Sequence, residues 1–180
     1  MQEGHFVLSS GLHSSVYLQS AIVLSYPEYL KLIGEELVNL IKNKINIKDI
    51  DLVVSPAMGG VIIGNKVGEI LGKRSIFLER VNAELVFRRG FSIDSKARVL
   101  VVEDVITTGK SSEECIMVIE KYEAKVLGVV SIINRSIKRT NLKIPRYSLV
   151  NLKAPLYNYN NLPDSLKKIP INKPGSRFLK

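Results

Sequence analysis

Cysteine is almost missing from this chain: Cys115 is the only one in 180 residues, so no intrachain disulfide can form. Its spacing with Val118, Ile119 and Tyr122 on a helical stripe marks it as a small core residue rather than a nucleophile. No apolar run approaches the ~20 residues that a membrane-spanning helix needs. The opening Met1-Gln-Glu-Gly-His5 lacks the order of a secretory signal, so a cytoplasmic protein with no membrane partner is expected. Internal repeats and low-complexity linkers are absent, which predicts a single domain over residues 1–180. Histidine is scarce too: His5 and His13 both lie far in sequence from the acidic stretch described below. Acidic side chains nearly vanish from the tail. Residues 138–180 hold ten Lys/Arg and only Asp164, whereas residues 1–137 hold 16 of each sign, so the net charge of +9 belongs to the tail. That tail also lacks the aromatic interleaving of a single-strand nucleic-acid platform, Tyr157 and Tyr159 aside. A solvated basic surface that attracts anionic substrates is therefore favoured over a nucleic-acid partner.

What remains is an ordinary globular mix, 46% hydrophobic and 24% charged, long enough to bury a core. The stretch Arg98-Val-Leu-Val-Val-Glu-Asp-Val-Ile-Thr-Thr-Gly-Lys-Ser-Ser112 organises it. Val99–Val102 predicts a strand buried on both faces of a parallel sheet. Glu103 and Asp104 then fall at its carboxyl end, Val105–Gly109 forms a turn, and Lys110–Tyr122 shows helical spacing. Open α/β sheets bind ligands at that edge. Thr107, Thr108, Gly109, Lys110 and Ser111 offer N–H groups and hydroxyls at a helix N-terminus, a setting for a phosphate dianion. Two carboxylates beside a phosphate would repel it. They need another partner, either vicinal ribose hydroxyls or a metal ion held near them. A solvated acidic turn would explain the acids alone, but the whole ordered string points to a phosphorylated ribose.

Elsewhere, Phe6–Leu8 and Val16–Leu18 are predicted as short strands around a turn at Ser9-Ser10-Gly11. Pro27 suits the first turn of a helix reaching about Lys44, with Leu30, Ile33, Leu37, Leu40 and Ile41 as its buried stripe. Leu52–Ser55 predicts a buried strand, followed by a helix to about Leu71. Gly60, Gly64 and Gly68 recur every four residues. Each helical glycine costs about 1 kcal/mol against alanine, so the stripe predicts close approach to another backbone, most simply the sheet. Gly59 and Gly60 offer a second anion cradle. Ser75–Arg80 is a further strand, and Val81–Asp94 a hairpin arm or mobile loop. Its Arg88 and Arg89 read either as a closing lid over an anion or as two solvated surface charges. Val126–Ile133 is a long apolar strand that brings Asn134 and Arg135 to the ligand edge, where a guanidinium either pairs a carboxylate or caps the strand. Tyr147–Leu152 predicts a last strand, and the tail through Lys173-Pro-Gly-Ser-Arg177 is expected to be mostly irregular.

The organising string resembles the phosphoribosyl-diphosphate (PRPP) signature of type I phosphoribosyltransferases: an apolar strand, two acids, then Thr-Thr-Gly and a small hydroxylated residue. The resemblance covers nearly the whole chain. Gly4-His-Phe-Val-Leu-Ser-Ser-Gly-Leu-His-Ser14, Ser55-Pro-Ala-Met-Gly-Gly60, Arg88-Arg-Gly-Phe91 and the Lys-Pro-Gly-Ser-Arg ending resemble the orotate-using branch of that family. What the resemblance implies is an α/β fold with a parallel-sheet core, a small hood from about residues 1–20 with part of the C-terminal tail, and a mobile loop. The implied reaction transfers the 5-phosphoribosyl group from PRPP to orotate in pyrimidine biosynthesis. Transfer to a purine or to uracil, and non-catalytic PRPP sensing, stay open as alternatives. PRPP contacts are implied for Gly59, Arg80, Glu103, Asp104, Val105, Ile106, Thr107, Thr108, Gly109, Lys110 and Ser111. Orotate contacts are implied for Thr107 and Arg135, and catalytic roles for Arg88, Arg89 and Asp104. Mg²⁺ is the implied cofactor, carried mainly by PRPP rather than by dedicated protein ligands, and a homodimer the implied assembly. The Ala57–Met58 peptide is implied to be cis. The chain departs from better-studied members at Ser9 and at Met58-Gly59, where lysine is usual, and at Asn134, where Asp is usual; Arg88 and Arg89 stand in for the loop lysine.

Overall fold

Val99, Leu100, Val101 and Val102 are fully buried. Their alternation sends Val99 and Val101 into one hydrophobic cluster and Leu100 and Val102 into another. Only a strand covered on both faces accommodates that pattern. The computed structural model describes residues 1–8, 11–135 and 144–174. In chain order its elements are β1 (Gln2–Val7), β2 (His13–Tyr17), α1 (Ser20–Leu24), α2 (Pro27–Ile41), β3 (Leu52–Pro56), α3 (Gly59–Leu71), β4 (Arg74–Val81), β5 (Glu84–Phe87), β6 (Arg98–Ile106), α4 (Lys110–Lys121), β7 (Lys125–Asn134), β8 (Arg146–Asn151), α5 (Asp164–Lys167) and β9 (Ile171–Asn172). No helix among the described residues is long and apolar enough to cross a membrane.

Two units emerge, residues 20–151 and residues 1–19 with 152–180. The larger holds a six-stranded sheet in the order β5-β4-β3-β6-β7-β8, parallel except for β5. This is the expected α/β, parallel-sheet core. Leu37 and Ile41 of α2 and Ile63 and Val67 of α3 pack on one face of the sheet. Cys115, Ile116 and Ile119 of α4 pack on the other. Each such buried aliphatic side chain contributes about 1.5–3 kcal/mol. The glycine stripe seats α3 as its spacing predicts: a Cβ on Gly60 would lie 2.8 Å from the Val102 carbonyl oxygen, and one on Gly68 2.8 Å from the Ser75 Cβ.

The chain runs outward from β3 to β4 and β5, and outward the other way from β6 to β7 and β8, so the winding reverses between β3 and β6. Pairing of β3 with β6 ends at Val54 and Val101, while β6 stays paired with β7 as far as Ile106 and Asn134. The carboxyl end of β6 therefore projects past its β3 neighbour at the switch point, the ligand-binding position of such sheets.

Several expectations need correction. β6 does not stop at the acids but runs through them to Ile106, because β7 continues to pair with it. Tyr122 is 45% exposed, edge-on to Phe87, and Ile116 takes its place in the buried stripe of α4. α2 ends at Ile41, short of Lys44, and Leu30, Ile33 and Leu40 are only half-buried. α1 was not anticipated; its Leu24 is buried among the α2 and α3 side chains. The arm after β4 is a hairpin whose turn residues, Asn82 and Ala83, both have positive φ (47° and 68°), as a tight two-residue turn requires.

In the smaller unit β1 begins at Gln2 and β2 at His13, earlier than Phe6 and Val16, with an irregularity between Glu3 and Phe6. The tail is not irregular throughout: β9 pairs parallel with β1, and α5 carries buried Leu166. His5 and His13 are both buried, with His5 Nε2 2.7 Å from His13 Nδ1. The predicted turn at Ser9-Ser10 and the Gly175–Arg177 part of the tail motif lie outside the described residues.

Candidate active site

Glu103 and Asp104 occupy successive positions of β6, so their side chains leave on opposite faces. Glu103 is buried and accepts a hydrogen bond at Oε1 from Ser112 Oγ at 2.6 Å. Burial pushes its carboxyl up to about 7; the Ser112 bond opposes that shift and the Asp104 charge adds to it. Asp104 is half-buried and accepts from Ser20 Oγ at Oδ2. Gly59, at the start of α3, faces the same carboxylate: a Cβ there would run into both Asp104 oxygens. This is a position that glycine alone leaves open. The Ala57–Met58 peptide just before it is cis, as the resemblance implies.

Val105 and Ile106 close β6, and the Ile106 carbonyl accepts the Arg135 backbone N–H at 2.7 Å. Arg135 is 2% exposed, and burial lowers its pKa. Thr107 and Thr108 lead into Gly109, which caps α4 with φ 81°. Thr108 Oγ1 accepts from the Lys110 N–H at 3.3 Å, and the Gly109 carbonyl from the Glu113 N–H at 2.9 Å. The first turn of α4, with Lys110 and Ser111, thus follows the end of β6 after a three-residue turn, and helix N-termini favour anions.

The cationic residues find partners that the sequence did not foretell. Arg80 donates to Glu114 of α4 and to the Ala83 carbonyl. Lys110 lies 3.7 Å from the same Glu114. Arg88 and Arg89 follow β5 with exposed side chains and pair with Glu79, at 3.9 and 2.8 Å, rather than with a residue of the signature. The Arg89 guanidinium also lies 5.9 Å from the centre of the Phe77 ring. The structure therefore brings Gly59, Glu103, Asp104 and the Thr107–Ser111 turn together at the switch point, and fastens the Arg135 backbone to the end of β6. Sequence reasoning missed Ser20 and Ser112. Ser112 left a signal, a hydroxyl within the apolar stripe of α4; Ser20, 84 residues from its partner, left none.

Among the described residues, no group of three or more His, Cys, Asp and Glu side chains could hold a metal ion. A hard cation that arrives with its oxygen ligands supplied by substrate phosphates needs no such group.

A scan against protein-family models finds no match. Among curated proteins the chain is 46% identical over 175 residues to an orotate phosphoribosyltransferase of Erythrobacter litoralis, covering 97% of this chain and 90% of that one. It is also 46% identical over 180 residues to an orotate phosphoribosyltransferase of Thermotoga maritima, covering 100% of this chain and 94% of that one. Among solved structures, orotate phosphoribosyltransferase from Aeropyrum pernix matches with TM-score 0.68 at 24% identity, over 84% of this chain and 87% of that one. Adenine phosphoribosyltransferase from Thermoanaerobacter pseudethanolicus matches with TM-score 0.64 at 16% identity, over 76% and 88%. At these lower identities the structures attest the fold.

Proposed function

The chain belongs to the orotate phosphoribosyltransferase family, and on that premise we propose that it transfers the 5-phosphoribosyl group of PRPP to N1 of orotate, a step of pyrimidine biosynthesis. The observation that carries this reading is the junction of β6 with α4. Two carboxylates near the carboxyl end of the switch-point strand are followed, across the short Thr107-Thr108-Gly109 turn, by a helix N-terminus capped by a left-handed glycine. The carboxylates suit a ribose diol and the helix start suits the 5-phosphate. The identity to named orotate enzymes disfavours the purine, uracil and non-catalytic alternatives.

Glu103 and Asp104 accept hydrogen bonds from the ribose hydroxyls and orient the ring while positive charge builds on it. Backbone N–H groups and hydroxyls from Thr107 to Ser111 hold the 5-phosphate, with Val105 and Ile106 lining its approach. Gly59 lets the α3 entrance come close to the diphosphate, and Arg80, Arg88 and Arg89 stabilise the charge on departing pyrophosphate. Thr107 and Arg135 bind orotate. N1 of orotate gives up its proton to solvent or to the departing pyrophosphate and supplies the electron pair of the new bond to the anomeric carbon. The bond from that carbon to the diphosphate oxygen breaks, and pyrophosphate leaves with its electrons. Mg²⁺ bound to the diphosphate would neutralise its charge and ease its departure.

The hood role is assigned to residues 1–20 with part of the C-terminal tail. A homodimer in the cytoplasm is part of the same proposal, supported by exposed Ile22, Val23, Tyr26, Tyr29 and Leu32 on α1 and the start of α2. The test is pyrophosphate release with PRPP, Mg²⁺ and each of orotate, uracil and adenine. Turnover with orotate alone supports the proposal; turnover with another base, or none, overturns it.

A further inference from the structure

Adjacent carboxylates on one strand diverge, yet a single ribose needs both. Glu103 leaves toward the α4 face and Asp104 toward the face that carries α1 and α3, as their serine partners and Gly59 show. Each acid must be turned back on its own side before the two can share a ligand. We infer that Ser112 and Ser20, neither of them in the signature string's ligand set, are positioning residues that hold Glu103 and Asp104 for the ribose of PRPP. The inference rests on the transfer reaction proposed above.

Ser112 is fully buried in the first turn of α4, in line with Cys115, Ile116 and Ile119. A hydroxyl in such a stripe needs a partner, and Glu103 Oε1 at 2.6 Å is that partner. One carboxylate oxygen is thereby committed to the helix, which fixes where the other points. The bond also favours the charged form, the form that accepts from two hydroxyls, against burial and the Asp104 charge, which favour the neutral acid. Asp104 beside it and Cys115 on α4 are the titratable groups whose charge couples to Glu103.

Ser20 heads α1, and that short helix is held by Leu24, which is 2% exposed among the side chains of α2 and α3. Its hydroxyl donates to Asp104 Oδ2 while Gly59 leaves the space on the other side of the carboxylate empty of side chain. Asp104 is thus oriented by a donor fastened to the core rather than by its own rotamer preference.

The experiment is calorimetric titration of PRPP with Mg²⁺ into wild type, Ser20→Ala, Ser20→Thr and Ser112→Ala, alongside steady-state turnover of orotate. Losing a hydrogen bond to a charged group corresponds to roughly tenfold in affinity. Ser20→Ala is expected to weaken PRPP binding about tenfold, and Ser20→Thr, which keeps the hydroxyl, to restore it to within about threefold. Ser112→Ala is expected to weaken binding about tenfold, and by more below about pH 7, where losing the bond also favours the neutral acid, than at about pH 9. Unchanged affinity in both alanine variants overturns the inference. So does a loss in Ser112→Ala that is constant with pH together with no rescue by threonine. Ser20 is half-buried, so its two variants decide the matter if Ser112→Ala fails to fold. Wild type that binds PRPP without converting orotate overturns the reaction but not the serine roles; wild type that binds no PRPP overturns both.

Discussion

Arg135 combines a guanidinium at 2% exposure with a backbone N–H fixed to the Ile106 carbonyl at the end of the signature strand. A cation so desolvated gains most from a carboxylate within bidentate reach, and orotate carries one that uracil lacks. Breaking such a contact costs about 1.5–3 kcal/mol, or roughly ten- to a hundredfold in the specificity constant. Arg135→Ala is therefore expected to lower kcat/KM for orotate by that range and to leave PRPP affinity nearly intact. Equal losses for both substrates would assign Arg135 to the fold or the phosphate instead.

The β4–β5 arm is the element on which the arginines depend. Arg88 and Arg89 sit just past β5, 58% and 62% exposed, with Glu79 of β4 as their shared counter-charge. Glu79 is mostly buried, but the arginine ends of these pairs lie in water, where screening weakens them enough for a diphosphate to compete. Arg89→Ala should lower turnover on the order of a hundredfold while PRPP binding weakens less, the signature of a donor that acts on the departing group. Glu79→Gln, which removes the counter-charge, keeps the side-chain shape and spares the arginines, should keep turnover within about threefold of wild type if the free guanidinium is what acts on the departing group. Comparable losses in the two variants would mean that the Glu79 pair, not the free guanidinium, is what matters. Much of this layout was legible in advance. Val99–Val102 and Val126–Ile133 are apolar runs that only a doubly covered sheet accepts, and the Gly60, Gly64, Gly68 repeat announces the helix laid against it. The acids, the Thr-rich turn and Arg135 follow from their place at strand ends. The missed features depend on tertiary partners. β6 lengthens because β7 keeps pairing, Tyr122 stays exposed because Phe87 meets it at the surface, and Ser20 matters only because Asp104 comes to it. Asn82-Ala83 lacks the glycine that usually marks a two-residue turn.

At the scale of the whole molecule, the smaller unit carries a pH-sensitive pair of its own. His5 Nδ1 lies 3.2 Å from the Ile169 carbonyl, so in the neutral pair that nitrogen carries the proton and His5 Nε2 accepts from His13 Nδ1. Burial, and then His5, hold the His13 pKa below its ordinary value. The folded unit thus binds fewer protons than the unfolded chain: its stability is full above about pH 6.5 and is lost as pH falls through the lower folded value. Glu103, whose carboxyl burial pushes up to about 7, gains stability as pH falls through the same range, so the His13 part is read by difference: between about pH 7 and pH 5 the melting temperature of His13→Asn is expected to fall less, or rise more, than that of wild type. An unchanged slope in the variant would remove His13 from the explanation.

The pairing of β9 with β1 sets His5 against Ile171 and Phe6 against Asn172. On a translating ribosome, at about 5–20 residues per second, β1 emerges roughly 10–30 s before the partner for that edge has been made. The larger unit, whose strands all lie between residues 52 and 151, has its full sequence before then. A nascent chain therefore carries that open edge of β1 until β9 has been made. A product released before β9 would keep that edge, the kind of surface on which edge-to-edge misassembly begins, so β1 is the strand that registers whether the chain has been made as far as β9.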